Sequence, residues 1–312
     1  VVPAAEGTAT TPSLDTSVAV IINPISGAAG RPDVARARAA QAASTIASHG
    51  GDAANVFITE RGGHARDLAR AAVARGVSTI VSWGGDGTMN EIGSALAFTE
   101  ASLVIVPSGS GNGLARELGI PFAAAAALDV AWSGHSRTID AGEIDDRLFF
   151  NVAGIGLDAR VAHRFAVDGL ERRGFSRYLE ITTREMFGFI PDELTITTPG
   201  SSTIAKTLLV AIANGRQYGN GAIVAPNARL DDGLLDIVVV RNRAAVRACL
   251  ELPLVFLGKI DRLGGVTVES TGEVTITAPY PLVYHLDGEP IAGTLSLHAR
   301  ARTHALKIKV PR

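Results

Sequence analysis

Lysine is nearly missing from this chain. Lys206, Lys259, Lys307 and Lys309 are the only four in 312 residues, so arginine carries almost all the positive charge. A phosphate loop of the form GxxxxGK[ST] needs a lysine to reach the terminal phosphates, and no such motif occurs. An ordinary P-loop NTPase is therefore excluded. Cysteine is scarcer still, with Cys249 alone in the apolar stretch RAAVRACLELPLVFLGK. No intramolecular disulfide and no cysteine zinc cluster can form; the residue reads as a small hydrophobe, and a reducing, cytoplasmic setting is expected. There is no basic excess either. A net charge of -2 argues against a generic nucleic-acid binder. No apolar run approaches the roughly 18 to 20 residues of a membrane span. Residues 1–14, VVPAAEGTATTPSL, show no basic region followed by a hydrophobic one, so no signal peptide is visible. The segment reads as a disordered tail, and the lack of an initiator methionine suggests a trimmed or partial start.

What remains is the composition of a globular protein, 46% hydrophobic and 19% charged, long enough for one large or two ordinary domains. Residues 15–134 alternate short apolar strands with helices. Strands are expected at 18–22, 55–58, 77–83 and 103–106, and helices after each, with Pro121 opening a further helix at a position where proline is tolerated. That alternation predicts a parallel sheet covered on both faces. Residues 135–312 are instead rich in strand-like segments, interrupted by helical stretches near 157–188 and 243–259. The change predicts a second, mostly antiparallel domain.

The stretch VSWGGDGTMNEI (81–92) places three glycines in four positions directly after a strand. Ligands of open α/β sheets bind beyond the carboxyl ends of the strands, where main-chain amides at a helix start can hold an anion. Gly84, Gly85 and Gly87 thus predict an amide cradle for phosphate, with Thr88 adding a hydroxyl. A tight turn with no ligand would use the same glycines. Three further loops favour the functional reading: NPISG, TERGGH and SGSGN follow the first, second and fourth strands. All four would gather on one sheet edge. Neither GGDGTM nor GSGNGL has the spacing of a dinucleotide G-x-G-x-x-G, so a dehydrogenase loses its main support.

The ordered segments NPISG, GGDGTMNEI, PSGSGNGLARELGIP, NGRQYGNGAIVAPNARLDDGLLDIVVV and DGEP resemble the motifs of the diacylglycerol kinase catalytic-domain family, which includes bacterial lipid kinases and the sphingosine and ceramide kinases. The resemblance runs from Val18 to about Ile291. It implies an ATP-binding α/β domain like that of NAD kinases and phosphofructokinases, then a β-sandwich domain on the acceptor side. Asn23 and Thr59 match family positions near the nucleotide. The run Gly84 to Asn90, with Asp86, Gly87 and Thr88, matches the phosphate-binding loop. Ser110 stands where the family usually has threonine, with Asn112 in the same loop. Glu289 matches the residue proposed as catalytic base. The backbone oxygens of Arg229 and Leu234, with the Asp232 carboxylate, match a magnesium site of the bacterial branch. The chain departs from the bacterial GTxND pattern at Gly113, where the acidic residue is absent; this admits a long-chain base or another lipid alcohol beside diacylglycerol.

Phosphoryl transfer needs positioning and charge neutralisation, here by Mg²⁺ on ATP and by the glycine amides. An acceptor hydroxyl also needs a base. Glu289 and Asp86 compete for that role, and Glu289 is favoured because Asp86 can equally orient the acceptor or hold Mg²⁺ through water. Asp232 and Glu289 both sit in DG-type turns, which is their structural alternative. Arg116 either touches phosphate or is a solvated helix residue, and His64 reads as a cap or surface residue. The basic set Arg160, His163, Arg164, Arg172, Arg173 and Arg177 is either a membrane-facing patch or a solvated face. Three functional readings follow: an ATP-dependent lipid kinase working peripherally at a membrane, a soluble-substrate kinase of the NAD-kinase type, and a non-catalytic binding protein. A homodimer stays open.

Overall fold

The computed structural model describes residues 17–27, 32–168 and 175–312, so the tail and Arg172 and Arg173 lie outside the described residues. The first part of the chain runs β1 (Val18–Ile22), α1 (Pro32–Ser48), β2 (Val56–Ile58), α2 (His64–Ala74), β3 (Thr79–Gly84), α3 (Asp86–Leu96), β4 (Ser102–Pro107), α4 (Gly113–Glu117) and α5 (Ala124–Ser133). Next come β5 (His135–Ile144), β6 (Arg147–Phe149), β7 (Val152–Gly156), α6 (Leu157–Asp168), α7 (Phe175–Gly188), β8 (Asp192–Thr198) and β9 (Ser201–Ala213). The remainder comprises β10 (Gln217–Gly219), β11 (Ala222–Ile223), β12 (Leu235–Arg241), α8 (Ala245–Phe256), β13 (Val266–Thr271), β14 (Glu273–Thr277), β15 (Val283–Leu286), β16 (Glu289–Ala292) and β17 (Ser296–Val310).

Strands β1, β3 and β4 are buried at every residue, as expected of apolar runs covered on both faces. They pair in parallel in the order β2-β1-β3-β4. Their core, with Ile21, Ile22, Val81, Val104, Ile46 and Leu128, is continuous with Leu306, Ile308 and Val310 from the far end of the chain. The reason is topological: Lys307 and Ile308 of β17 pair in parallel with Ser102 and Leu103 of β4.

The other half of β17 belongs to an antiparallel array, in which β14, β8, β9, β7, β15 and β16 follow in turn, with β12 and β13 added beyond β9. β5 runs antiparallel to β17 along both halves, with a register shift between Arg302 and Leu306. There His304 takes a positive φ and its N–H donates to Asp140 Oδ1 at 2.7 Å, fixing the bend where one strand serves two layers. The antiparallel half closes on two apolar clusters: one around Phe149, Ile196, Ile212 and Leu286, the other around Leu157, Val161, Ile181 and Val238. The architecture is the α/β sheet followed by a mostly antiparallel β domain that the strand pattern predicts.

One local expectation fails. Pro121 does not open α5; the helix starts at Ala124 with extended Ala123 before it. Phe122 instead packs its ring against the Arg116 guanidinium, 4.5 Å from the centroid, which holds residues 121–123 outside the helix.

Candidate active site

The carboxyl ends of β1 to β4 deliver the four glycine-bearing loops to one place. Asn23–Ser26, Thr59–Gly62, Gly85–Thr88 and Gly109–Gly111 line a single cleft of about 500 Å³. Its opposite wall is supplied by the antiparallel domain: Asn151, Asp158, Tyr218, Gly219, His285 and Asp287–Pro290. Among the described residues Arg61 is the only arginine that lines the cleft and no lysine does, whereas Glu60, Asp86, Glu91, Asp158, Asp287 and Glu289 do.

Glycine is required where the third and fourth loops meet. A Cβ on Gly109 would stand 2.6 Å from the Gly85 Cα, so the two backbones touch with no room for side chains. The loops are then cross-tied. Asn23 Nδ2 donates to Thr88 Oγ1 at 2.9 Å, and the Ser26 and Ser108 hydroxyls share a 2.7 Å hydrogen bond. Arg116 Nε donates to Gly111 O at 3.1 Å, so this arginine braces the fourth loop.

The first hydrogen bond within α3 runs from Met89 N to Gly85 O, so the N–H groups of Gly87 and Thr88, both residues that line the cleft, have no acceptor within the helix. Glu91, one turn further on, lines the cleft but is spent on a neighbouring helix. Its carboxylate accepts from the N–H groups of Gly63 (2.8 Å) and Ala65 (3.1 Å) and thereby caps α2. His64 sits at that helix start, its Nδ1 accepting from Glu60 N–H at 3.1 Å.

Asp86 is fully committed. Its Oδ2 accepts from Asn112 N–H and its Oδ1 from Gly113 N–H, each at 2.8 Å, so the third loop holds the fourth. Burial pushes its pKa up to about 6, against the opposing pull of those two N–H groups, with Asp287 nearby adding to the rise. Asp287 is a second hub. It accepts from the N–H groups of Phe150 and Asn151 at 2.9 Å and of Val152 at 3.1 Å, and from Asn90 Nδ2 at 2.8 Å. Asn90 also donates to Leu148 O at 2.9 Å. The pair therefore rivets α3 to the antiparallel domain. Burial raises the Asp287 pKa against these same donors.

Glu289 differs from both. It opens β16, the residue is exposed to the cleft, and its carboxylate sits against Gly87, where an added Cβ would come within 2.6 Å of Oε1. Desolvation of the carboxylate, then the proximity of Glu91, raises its pKa; Arg66 opposes and Asp287 adds a smaller push upward. Of the two carboxylates that compete for the role of base, Glu289 is the one not tied to main chain.

Beyond Glu289 the cleft ends in a buried polar knot. Tyr218 Oη donates to Asp158 Oδ2 at 2.5 Å and is hydrogen-bonded to His285 Nε2, and His285 Nε2 lies 3.3 Å from the same carboxylate oxygen. Asp158 and Tyr218 also line a second, apolar cavity of about 140 Å³, walled by Leu157, Val161, Met186, Leu208, Leu252, Val255 and Ile260. The two cavities share a wall at these two residues. The sequence stretch LELPLVFLGKI supplies part of that apolar lining.

Of the residues expected from sequence, Asn23, Thr59, Gly85, Asp86, Gly87, Thr88, Ser110 and Glu289 line the one cleft. Gly84, Asn90 and Asn112 stand behind it. Gly84 leaves room for Thr88, Asn90 ties Asp287, and Asn112 closes its own loop, its Oδ1 accepting from Gly109 N–H and its Nδ2 donating to Gly109 O. Arg229, Asp232 and Leu234 lie elsewhere, on an exposed turn before β12; Gly233 N–H there donates to Asp140 Oδ2 at 2.7 Å, and Asp232 Oδ1 accepts from Leu234 N–H at 3.1 Å. The space beside Gly113 is filled by the Asn151 amide, which donates to Gln217 O. Glu91, Asp158, Tyr218 and His285 were not singled out from sequence. Glu91 and Tyr218 each carried a signal there, their places within GGDGTMNE and NGRQYGNG.

A glycine-loop α/β cleft closed by an antiparallel β domain is the architecture of a two-domain kinase. Residues 17–144 match the family described as the diacylglycerol kinase catalytic domain, and residues 151–310 match the YegS C-terminal NAD kinase beta sandwich-like domain. The chain is 33% identical over 235 residues to a Pseudomonas fluorescens protein named "Probable lipid kinase YegS-like", covering 72% of this chain and 75% of that one. A Yersinia enterocolitica protein of the same name is 32% identical over 212 residues, 66% of this chain and 70% of its own. A Bacillus anthracis structure described as a diacylglycerol kinase superposes with a TM-score of 0.71 at 20% identity, covering 95% and 97% of the two chains, and so shares the fold. This protein belongs to the diacylglycerol kinase catalytic-domain family, among its YegS-like lipid kinases.

Proposed function

We propose that the protein transfers the γ-phosphate of ATP to the hydroxyl of a lipid alcohol, a diacylglycerol, a sphingoid base or a related molecule. The observation that carries this reading is the shared wall: a polar, glycine-lined cleft and an apolar cavity adjoin at Asp158 and Tyr218. A soluble acceptor such as NAD would have no use for the second cavity. In the reaction the acceptor oxygen forms a bond to the γ-phosphorus, the bond from that phosphorus to the bridging oxygen breaks, and ADP leaves. The acceptor's proton passes to Glu289, whose raised pKa suits a group that must take and later release it. The amides of the third and fourth loops hold the phosphates in place of a lysine.

The cleft's electrostatics bear on the metal. Among the described residues, six carboxyl-bearing side chains against one arginine make it a poor host for a bare triphosphate. Mg²⁺ arriving with the nucleotide would supply the missing positive charge. No group of three or more His, Cys, Asp or Glu side chains with metal-holding geometry occurs among the described residues. The turn of Arg229, Asp232 and Leu234 offers only oxygen donors, which fits a hard cation, with one Asp232 oxygen already accepting from Leu234 N–H. A cation there would brace the turn, since none of these residues lines the cleft. The direct experiment is incubation with labelled ATP, Mg²⁺ and a panel of lipids alongside NAD. Label in a lipid is the expected result; label in NAD and no lipid would overturn it.

A further inference from the structure

Helix α8 is apolar on two opposite sides. Its inner face, with Ala248, Leu252 and Val255, lines the apolar cavity. Its outer face carries Val246, Leu250, Pro253 and Leu257, all exposed, Leu250 at 76%. At about 100° per residue these four positions fall within a stripe about 60° wide. A helix with apolar residues all round is normally buried, and among the described residues nothing covers the outer stripe. The end of α7, which packs on α8 where Cys249 meets Met186, adds Phe187 at 62% exposed, and the turn just after α7 adds Ile190 at 81%. Scattered single exposed hydrophobes are ordinary; four on one helix stripe, with two more on the adjoining segment, are not.

The charge around the stripe points the same way. The Arg243 side chain is buried and paired with Glu251, and the exposed charges of residues 241–262 are Arg241, Arg247, Lys259 and Arg262 against Asp261, four positive and one negative, in a chain of net -2. Arg247 projects from α8 beside the stripe and is 61% exposed at the side chain even while paired with Glu251. An apolar ridge flanked by basic groups is the chemistry of a helix lying in the headgroup layer of an anionic bilayer.

We propose that the outer face of α8, together with the end of α7, docks on an anionic lipid bilayer. Because the same two helices wall the apolar cavity, docking sets the cavity at the membrane surface, and an acyl chain enters it without crossing water. This assignment rests on the lipid-kinase reading for its purpose but is tested apart from it.

The test is co-sedimentation of the full chain with vesicles of phosphatidylcholine alone or mixed with phosphatidylglycerol. Wild type should sediment with the mixed vesicles and less as salt is raised. Leu250→Glu and Ile190→Glu should each lower the bound fraction at least fivefold with unchanged melting temperature, whereas Leu295→Glu, at an exposed leucine (54%) between β16 and β17, should not. Phosphorylation of a short-chain, monomeric diacylglycerol should be unaffected in both stripe variants while turnover on vesicles falls. Vesicle binding that persists in both stripe variants overturns the proposal. So does light scattering showing a wild-type dimer that Leu250→Glu converts to monomer, because a second copy would then be the cover. Stripe-dependent sedimentation with no phosphotransfer to any lipid supports the docking face and removes the kinase reading instead.

Discussion

The two walls of the cleft are built from different material. On the side of the parallel sheet the surface is largely main chain: Gly85 and Gly109 in backbone contact, Gly87 and Gly111 beside them, and few side chains long enough to reach a ligand. On the side of the antiparallel domain the surface is side chain: Glu289, Asp287, His285, Tyr218, Asn151 and Asp158. The main-chain wall suits the donor phosphates, which need many weak, fixed N–H dipoles and no particular base. The side-chain wall suits the acceptor, whose hydroxyl needs one titratable group and whose chain needs an apolar slot. The proposed function thus draws its base from the second domain although the recognisable motif lies on the first.

The comparison is sharpest between Glu289 and Asp86, which face the same cleft. Glu289→Gln keeps the size and polarity of the side chain and removes the base. Turnover should fall by about 10² to 10⁴ while ATP affinity and melting temperature hold, read by single-turnover phosphotransfer and calorimetry. A loss of ATP binding instead would put Glu289 on the donor side.

Asp86 should register in stability. Its folded pKa of about 6 exceeds the ordinary value of 3.8, so the stability it contributes is present below about pH 4 and lost as pH rises through 6. The two-unit shift is worth about 3 kcal/mol. Asp86→Asn removes this titration. Urea unfolding should therefore show the wild-type advantage over Asp86→Asn shrinking by about that amount between pH 4 and pH 7. A difference independent of pH would mean Asp86 is not the buried, N–H-bound carboxylate described.

Gly87→Ala separates the walls most cleanly. Alanine is the better helix former by about 1 kcal/mol, so stability should hold or rise. The new methyl meets the Glu289 carboxylate, a movable group, and displaces it. Turnover should drop about 10- to 10²-fold in a protein that melts no lower than wild type. The smallest effect belongs to the remote turn: Asp232→Ala should leave phosphotransfer within about twofold and lower the melting temperature in Mg²⁺ by a few degrees at most. A large loss of rate there would bring that metal site into the chemistry.

This division also explains what could be read in advance. The parallel sheet and its four loops were legible because period, length and glycine placement are local properties, and the loops' convergence follows from strand order alone. The roles inside GGDGTMNE were not. Asn90 and Glu91 look like ligand contacts in a linear motif, yet one reaches Asp287, 197 positions away, and the other caps a neighbouring helix. Nor was the knot of Asp158, Tyr218 and His285 visible, since its members come from α6, β10 and β15 and share no spacing. The strand β17 shared between the two layers was equally hidden: its alternation marks a strand but not its partners.

The account stands on the polar cleft and the apolar cavity forming one site for one lipid. Leu252 lines that cavity and not the cleft. Measured in detergent micelles at fixed surface concentration, wild-type kcat/KM should rise with acyl chain length, and Leu252→Trp should flatten that rise while leaving KM for ATP unchanged. Identical chain-length profiles in the two proteins would contradict it.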